Sequence, residues 1–145
     1  MTSMKRATIT IIIPVFNVEN FVKETLLSVK NQISPSDEVI VIDDGSTDNS
    51  FKIINHFRDL DGWKIIQTTN QGLGLTRNLG RSLAKSEYIY FLDSDDIIND
   101  NLINQLREII LQYNKPDMIL FSGEAFDDNQ KKNKKPNLRF TLNGE

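Results

Sequence analysis

Short apolar runs alternate along this chain with segments whose hydrophobic residues recur every three or four positions. The runs read as buried strands and the recurring segments as amphipathic helices. Thr8–Pro14 is the first predicted strand, closed by Pro14 because proline has no N–H to give a ladder. Val22, Leu26, Val29 and Ile33 then share one helical face. Ser34-Pro35-Ser36-Asp37 is turn chemistry, and a second strand starts at Glu38 and runs to Ile42. A helix bearing Phe51, Ile54 and Phe57 follows, with its cap expected from Ser46, Thr47 or Asp48. Trp63–Thr68 is a third, weaker strand, and a glycine-punctuated loop leads to a helix marked by Leu75, Leu79 and Leu83. Tyr88–Leu92 is the fourth strand; a helix through Leu102, Leu106, Ile109 or Ile110 and Tyr113 precedes a fifth, Met118–Phe121. Such alternation predicts an α/β fold: a doubly wound, mostly parallel sheet flanked by helices on both faces. The pattern dissolves from Glu124, so residues 1–123 are expected to form the domain and 124–145 a polar loop opening an incomplete further region. Leu138–Leu142 is the one short strand expected there.

Two acidic clusters sit directly behind apolar runs. Glu38–Ile42 leads into Asp43-Asp44-Gly45-Ser46, and Tyr88–Leu92 into Asp93-Ser94-Asp95-Asp96. If both strands belong to one parallel sheet, both acidic tips emerge at its carboxyl edge, where open α/β sheets bind ligands. Carboxylates packed together repel unless a cation or hydrogen-bond donors neutralise them. Hard oxygen ligands in an Asp-x-Asp suit Mg²⁺ or Mn²⁺ with positions left open for phosphates.

Each motif also has a plainer structural reading. Asp and Ser at a strand-to-helix turn commonly cap the helix, and Gly45 suits a turn with positive φ. Asn17 can be a cap in the same way. Gly72 and Gly74 let backbone approach a ligand, and Arg77 can pair with Asp43, with Asp44 or with a phosphate. His56, with no second histidine in the chain, reads as a surface or packing residue.

The chain has 145 residues and a formal charge of -3, enough for one domain and without a basic footprint for nucleic acid. Absence of cysteine excludes disulfides and thiolate metal sites and fits a reducing compartment. The run Ile9–Val15, interrupted by Pro14, is too short for a membrane span and lacks the cleavage site of a signal peptide. A soluble, cytoplasmic domain is expected. The basic run Lys131–Lys135 reads as a solvated loop, with contact to an anionic membrane face as the alternative. An uncovered sheet edge would favour homo-oligomers.

Taken in order, Pro14-x-x-Asn17-x-Glu19, Asp43-Asp44-Gly45-Ser46-x-Asp48, Asn70-x-Gly72, Arg77-Asn78-x-Gly80 and Asp93-x-Asp95-Asp96 resemble the GT-A-fold glycosyltransferases known as family 2. The resemblance runs over roughly Thr8–Phe121. It implies transfer of a sugar from a nucleoside-diphosphate sugar, UDP-linked by family frequency, to a hydroxyl on a glycan, lipid-linked or protein acceptor, with inversion. By position it implies that Pro14 and Glu19 line the base pocket, with Asn17 also in the nucleotide site, and that Asp44, with Asp43 beside it, meets base or ribose. Gly72, Arg77, Asp93 and Ser94 would complete the nucleotide site. Asp95, with Asp93, would hold Mn²⁺ or Mg²⁺.

An inverting transferase needs a base to deprotonate its acceptor. Only about fifty residues follow Asp95, and Glu124, Asp127, Asp128 and Glu145 stand in no family-like base motif. The downstream Gln-x-x-Arg-Trp of polymerising members is absent, since the single Trp is Trp63 in a strand. The expectation is therefore a donor-binding portion of a larger transferase, weakly active or inactive alone. A catalytically silent sugar-nucleotide-binding module is the alternative. A signalling receiver fits less well: its acid pair follows the first strand and a lysine follows its last, whereas here Ser122-Gly123 follows Phe121. An Asp-x-Asp phosphatase would need its nucleophile where Pro14-Val15-Phe16 stands.

Overall fold

The structure is a computed structural model that describes residues 6–125 and the strand at 140–141. Four parallel strands form the main sheet: β1 (Ile9–Val15), β2 (Glu38–Asp43), β3 (Trp63–Gln67) and β4 (Tyr88–Phe91), in the order β3-β2-β1-β4. The helices between them are α1 (Val22–Lys30), α2 (Ser50–Asn55) and α3 (Leu73–Leu83), and α4 (Leu102–Gln112) follows β4. The chain steps outward from β1 to β3 and then crosses back to place β4 on the other side of β1. Strand order therefore reverses between β1 and β4, the switch point at which such sheets open a crevice beyond their carboxyl ends.

Burial explains why the strands read as continuous apolar runs. Ile11, Ile12 and Ile13 are each fully enclosed, as are Val39 to Ile42 of β2, because helices cover both faces of the central pair. On one face Ile12, Ile40 and Ile42 form a cluster against which Ile66, Leu79 and Ala84 pack. Val22, Leu26 and Val29 are buried on α1, and Ile54 on α2, as their spacing requires.

Three expectations need correction. Pro14 does not end β1; the strand continues to Val15, with Pro14 in register beside Ile42. In a parallel ladder alternate residues turn their N–H and C=O to the same neighbour. The Ile12 carbonyl accepts the Leu92 N–H, so Pro14 turns the same way, past the end of β4 at Phe91. Its missing donor falls where no strand asks for one. On α3, Leu75 and Leu83 are exposed while Thr76 and Gly80 are buried. The helix presses Gly80 against the sheet, which turns Leu75 and Leu83 aside while Leu79 still packs on the core cluster.

Met118–Phe121 is not a fifth strand of the parallel sheet. The compact units divide at Arg107–Glu108, and in the second unit β5 (Leu120–Phe121) pairs antiparallel with β6 (Phe140–Thr141). Leu120 is exposed and Phe121 only partly covered, whereas a strand inside a parallel sheet is covered on both faces. β6 falls within the strand expected at Leu138–Leu142.

Candidate active site

Four segments meet at the carboxyl edge of the main sheet: residues 16–20 after β1, 44–49 after β2, 68–72 after β3 and 92–99 after β4. Neighbouring strands lie about 4.8 Å apart. The ends of β2 and β4, with β1 between them, are therefore separated by about 10 Å. No group of three metal-ligating side chains among the described residues spans that distance. The separation suits a ligand the length of a nucleotide.

The two clusters have opposite characters. Asp43 and Asp44 are buried, at 0% and 4% exposure, and their carboxylates bind their own protein. Asp43 Oδ2 accepts the Ser46 N–H at 3.3 Å and the Gln67 Nε2 amide at 3.2 Å, while its enclosed Oδ1 has no partner. Asp44 accepts the Gln71 N–H at 3.0 Å, the Gly72 N–H at 2.9 Å and the Thr68 hydroxyl at 3.0 Å. Burial alone would raise the Asp44 pKa. These donors outweigh it and hold the carboxyl below its ordinary value. Gly45, beside them, has φ +76°, and a Cβ there would stand 2.8 Å from the Asn70 backbone nitrogen. Only glycine serves that turn.

Asn17 and Glu19 are committed in the same way. Asn17 adopts φ 49°, a left-handed conformation that asparagine tolerates. Its Oδ1 accepts the Thr47 N–H at 2.8 Å, and its own N–H donates to Ser46 Oγ at 3.0 Å. Glu19 Oε2 accepts from the Asn49 backbone and side-chain nitrogens at 2.9 and 2.7 Å. In return the Glu19 N–H donates to Asp48 Oδ2 at 3.1 Å, and Asp48 Oδ1 accepts the Ser50 N–H at the head of α2. The cap position of α2 is Asn49, without a side-chain cap bond, so none of Ser46, Thr47 and Asp48 caps the helix as expected; Asp48 binds the N–H of its first residue instead. Pro14 is buried at the floor of this edge. Phe16, absent from the residues singled out by motif, stands 45% exposed above it.

The second cluster faces solvent. Asp93, Asp95 and Asp96 are exposed and only Ser94 is buried. Arg77 Nη2 lies 2.6 Å from Asp93 Oδ1, while the buried Arg77 Nε has no partner. Partial enclosure of its carboxyl, then the charges of Asp95 and Asp93, push Asp96 above the ordinary carboxylate range. Burial and the same negative field push the Tyr90 phenol up to about 12. This is an under-neutralised patch built of hard oxygen donors. The described residues contain no preformed group of three metal-ligating side chains. Such a site fits a cation that takes one or two carboxylates and completes its shell with ligand phosphates and water, the habit of Mg²⁺.

Glu124 is exposed in the second unit. Asp127, Asp128, Glu145 and the basic run Lys131–Lys135 lie outside the described residues. No described helix is long and apolar enough to cross a membrane.

Sequence reading missed the residues that hold the second cluster from behind. Thr25 is fully buried on α1, and its hydroxyl donates to the Ser94 carbonyl at 2.9 Å. A polar residue beside Leu26 on an otherwise apolar face was the available signal.

Comparison with known proteins agrees with this geometry. Over 106 residues the chain is 48% identical to an uncharacterized glycosyltransferase of Haemophilus influenzae, covering 71% of this chain and 42% of that protein. It is 34% identical over 123 residues to glycosyltransferase GlyA of Streptococcus pneumoniae, covering 84% of this chain but 18% of that one. The crystal structure of S. aureus TarS 1–349 in complex with UDP-GlcNAc superimposes with a TM-score of 0.69 at 32% identity, over 74% of this chain and 32% of that chain. The chain thus spans less than half the length of these relatives. A model of glycosyl transferase family 2 matches residues 10–144. With the parallel sheet, its reversal of strand order and that match together, the chain belongs to glycosyl transferase family 2.

Proposed function

We propose that this chain binds the nucleoside-diphosphate sugar donor, UDP-linked, of an inverting, metal-dependent glycosyl transfer to a hydroxyl acceptor. The observation that carries the reading is the exposed, mutually repelling set Asp93, Asp95 and Asp96 at the switch point, countered by Arg77. The UDP-GlcNAc complex of TarS supports the choice of UDP.

Each residue has a task in this reading. Pro14 and the exposed ring of Phe16 offer apolar contact to the base, a use suited to an aromatic at a wet rim. Asp43, Asp44, Asn17 and Glu19 shape the loops that border the nucleotide. Asp44 accepts from Thr68, Gln71 and Gly72 and so holds the 68–72 loop in place beside the base or ribose. Arg77, paired with Asp93 through one end of its fork, would offer its remaining exposed donors to a phosphate on ligand entry. Asp95 and Asp93 would hold Mn²⁺ or Mg²⁺. When bound, that cation would neutralise charge on the departing diphosphate.

Titration calorimetry with UDP in Mn²⁺, then in EDTA, tests the reading. Binding is expected in Mn²⁺ and lost in EDTA, and Asp95→Ala should weaken it by about 10- to 100-fold, as loss of a charged ligand contact implies. Equal affinity in Mn²⁺, in EDTA and in the variant would overturn the metal assignment.

A further inference from the structure

We propose that a polar stripe on α1 and in the turn that closes it (Thr25, Ser28 and Gln32) sets the position of the donor-binding carboxylates, making these three positioning residues for the transfer. The inference rests on the functional reading above and adds to it the part that aims Asp93 and Asp95.

The stripe lies at i, i+3 and i+7, so all three side chains project from one side. They point at the segment that leaves β4. The Thr25 hydroxyl donates to the Ser94 carbonyl at 2.9 Å. Ser28 Oγ accepts the Ile98 N–H at 3.2 Å and donates to the Thr25 carbonyl at 2.7 Å, so its hydroxyl is braced by the helix backbone. Gln32 Nε2 donates to the Asn99 carbonyl at 2.7 Å, and its Oε1 accepts the Ile103 N–H at 3.3 Å, at the start of α4. The 94–103 segment is therefore gripped at both ends and in between.

Every one of these contacts is to main chain. They fix the path of the loop while leaving the Asp95 and Asp96 carboxylates in solvent. Ser94 lies between Asp93 and Asp95 and is the point of deepest burial in the cluster, 7% exposed. Anchoring its carbonyl sets the direction from which both flanking side chains depart. Without the anchor the like charges of Asp93, Asp95 and Asp96 would spread the loop. A divalent cation would then have to order it at the moment of binding, at a cost in affinity.

Thr25→Val, nearly isosteric, removes the hydroxyl, and Thr25→Ser retains it. Titrations with UDP and Mn²⁺ on the full chain, well below the unfolding temperature of each variant, are expected to show a roughly three- to tenfold loss of affinity for Thr25→Val, the worth of one hydrogen bond. Thr25→Ser should stay within about twofold of the parent. Ser28→Ala, a smaller change in a part-buried position, should lose a similar factor and covers the case of a Thr25→Val that does not fold. Lys23→Ala, exposed on the same helix, should lose nothing. A purely structural role predicts a lower Tm with unchanged affinity in the folded variants, and that result overturns the inference. If the parent itself binds no UDP with Mn²⁺, the functional reading fails first and takes this inference with it. If the parent binds and Asp95→Ala does not, while Thr25→Val and Ser28→Ala bind as the parent does, this inference alone is wrong.

Discussion

Gly80→Ala should destabilise this domain, although helix propensity alone predicts the reverse. Gly80 sits within α3, where alanine is favoured over glycine by about 1 kcal/mol. An added Cβ would stand 2.4 Å from Ile12 Cγ2 and 3.3 Å from Ile12 Cγ1 and Cδ1. Comfortable carbon–carbon contact is about 3.5–4.0 Å, so helix and strand must part by about 1 Å. Ile12 cannot yield, being fully buried on a central strand within the cluster of Ile40 and Ile42. Overpacking of this kind costs about 1–3 kcal/mol. With a clash this deep the upper part of that range applies, leaving a net loss of about 1–2 kcal/mol after the propensity gain. Urea unfolding followed by circular dichroism should show a lower midpoint at unchanged slope. In an Ile12→Ala background the obstructing atoms are gone, and Gly80→Ala should there stabilise by about 1 kcal/mol. A neutral or stabilising effect in the parent, or the same effect in both backgrounds, would refute the packing argument.

Asp44→Ala strands the Thr68 hydroxyl and the Gln71 and Gly72 N–H groups; with water able to reach part of the loop, a loss of about 2 kcal/mol is expected. Hydrogen exchange should accelerate at those two amides, and unchanged protection there would contradict the assigned bonds. Asp37 and Arg107 form a buried ion pair at 3% and 4% exposure, so Arg107→Met should cost about 3–5 kcal/mol. Burial raises the Asp37 pKa, but hydrogen bonds from Arg107, Ser34 and Ile9 bring it below 3.8. A depressed carboxyl adds stability above the unfolded-state value of about 3.9 and loses it as pH falls through the folded one. Parent stability should therefore fall steeply below about pH 4, and Asp37→Asn, weaker at neutrality, should show a shallower acid slope; an identical slope would remove Asp37 from that role.

The order of strands and helices was legible because each central strand is buried on both faces and each helix has an apolar stripe. α3 misled because its inward face carries Thr76 and Gly80, so the contact is made by an absence of side chain. Pro14 misled because its effect on a ladder depends on which side the neighbouring strand stops. The candidate site was legible as a set of residues, but their division of labour was not. Acidic residues look alike in sequence, yet Asp44 is enclosed and saturated with donors while Asp95 is in water. That difference is set by loop 68–72, whose backbone N–H groups converge on Asp44 from a segment distant in the chain.

The segment from Asp43 to Ser50 bonds on one flank to residues 17–19 and on the other to Gln67–Gly72. Three crevice walls therefore share one set of fasteners, and none can swing out without disturbing the others. Fluctuations of the rim should be concerted rather than local, appearing as a single opening event shared by all three walls. A donor entering such a rim meets walls already in register, and the ordering entropy that separate flexible loops would have surrendered on contact has been spent during folding.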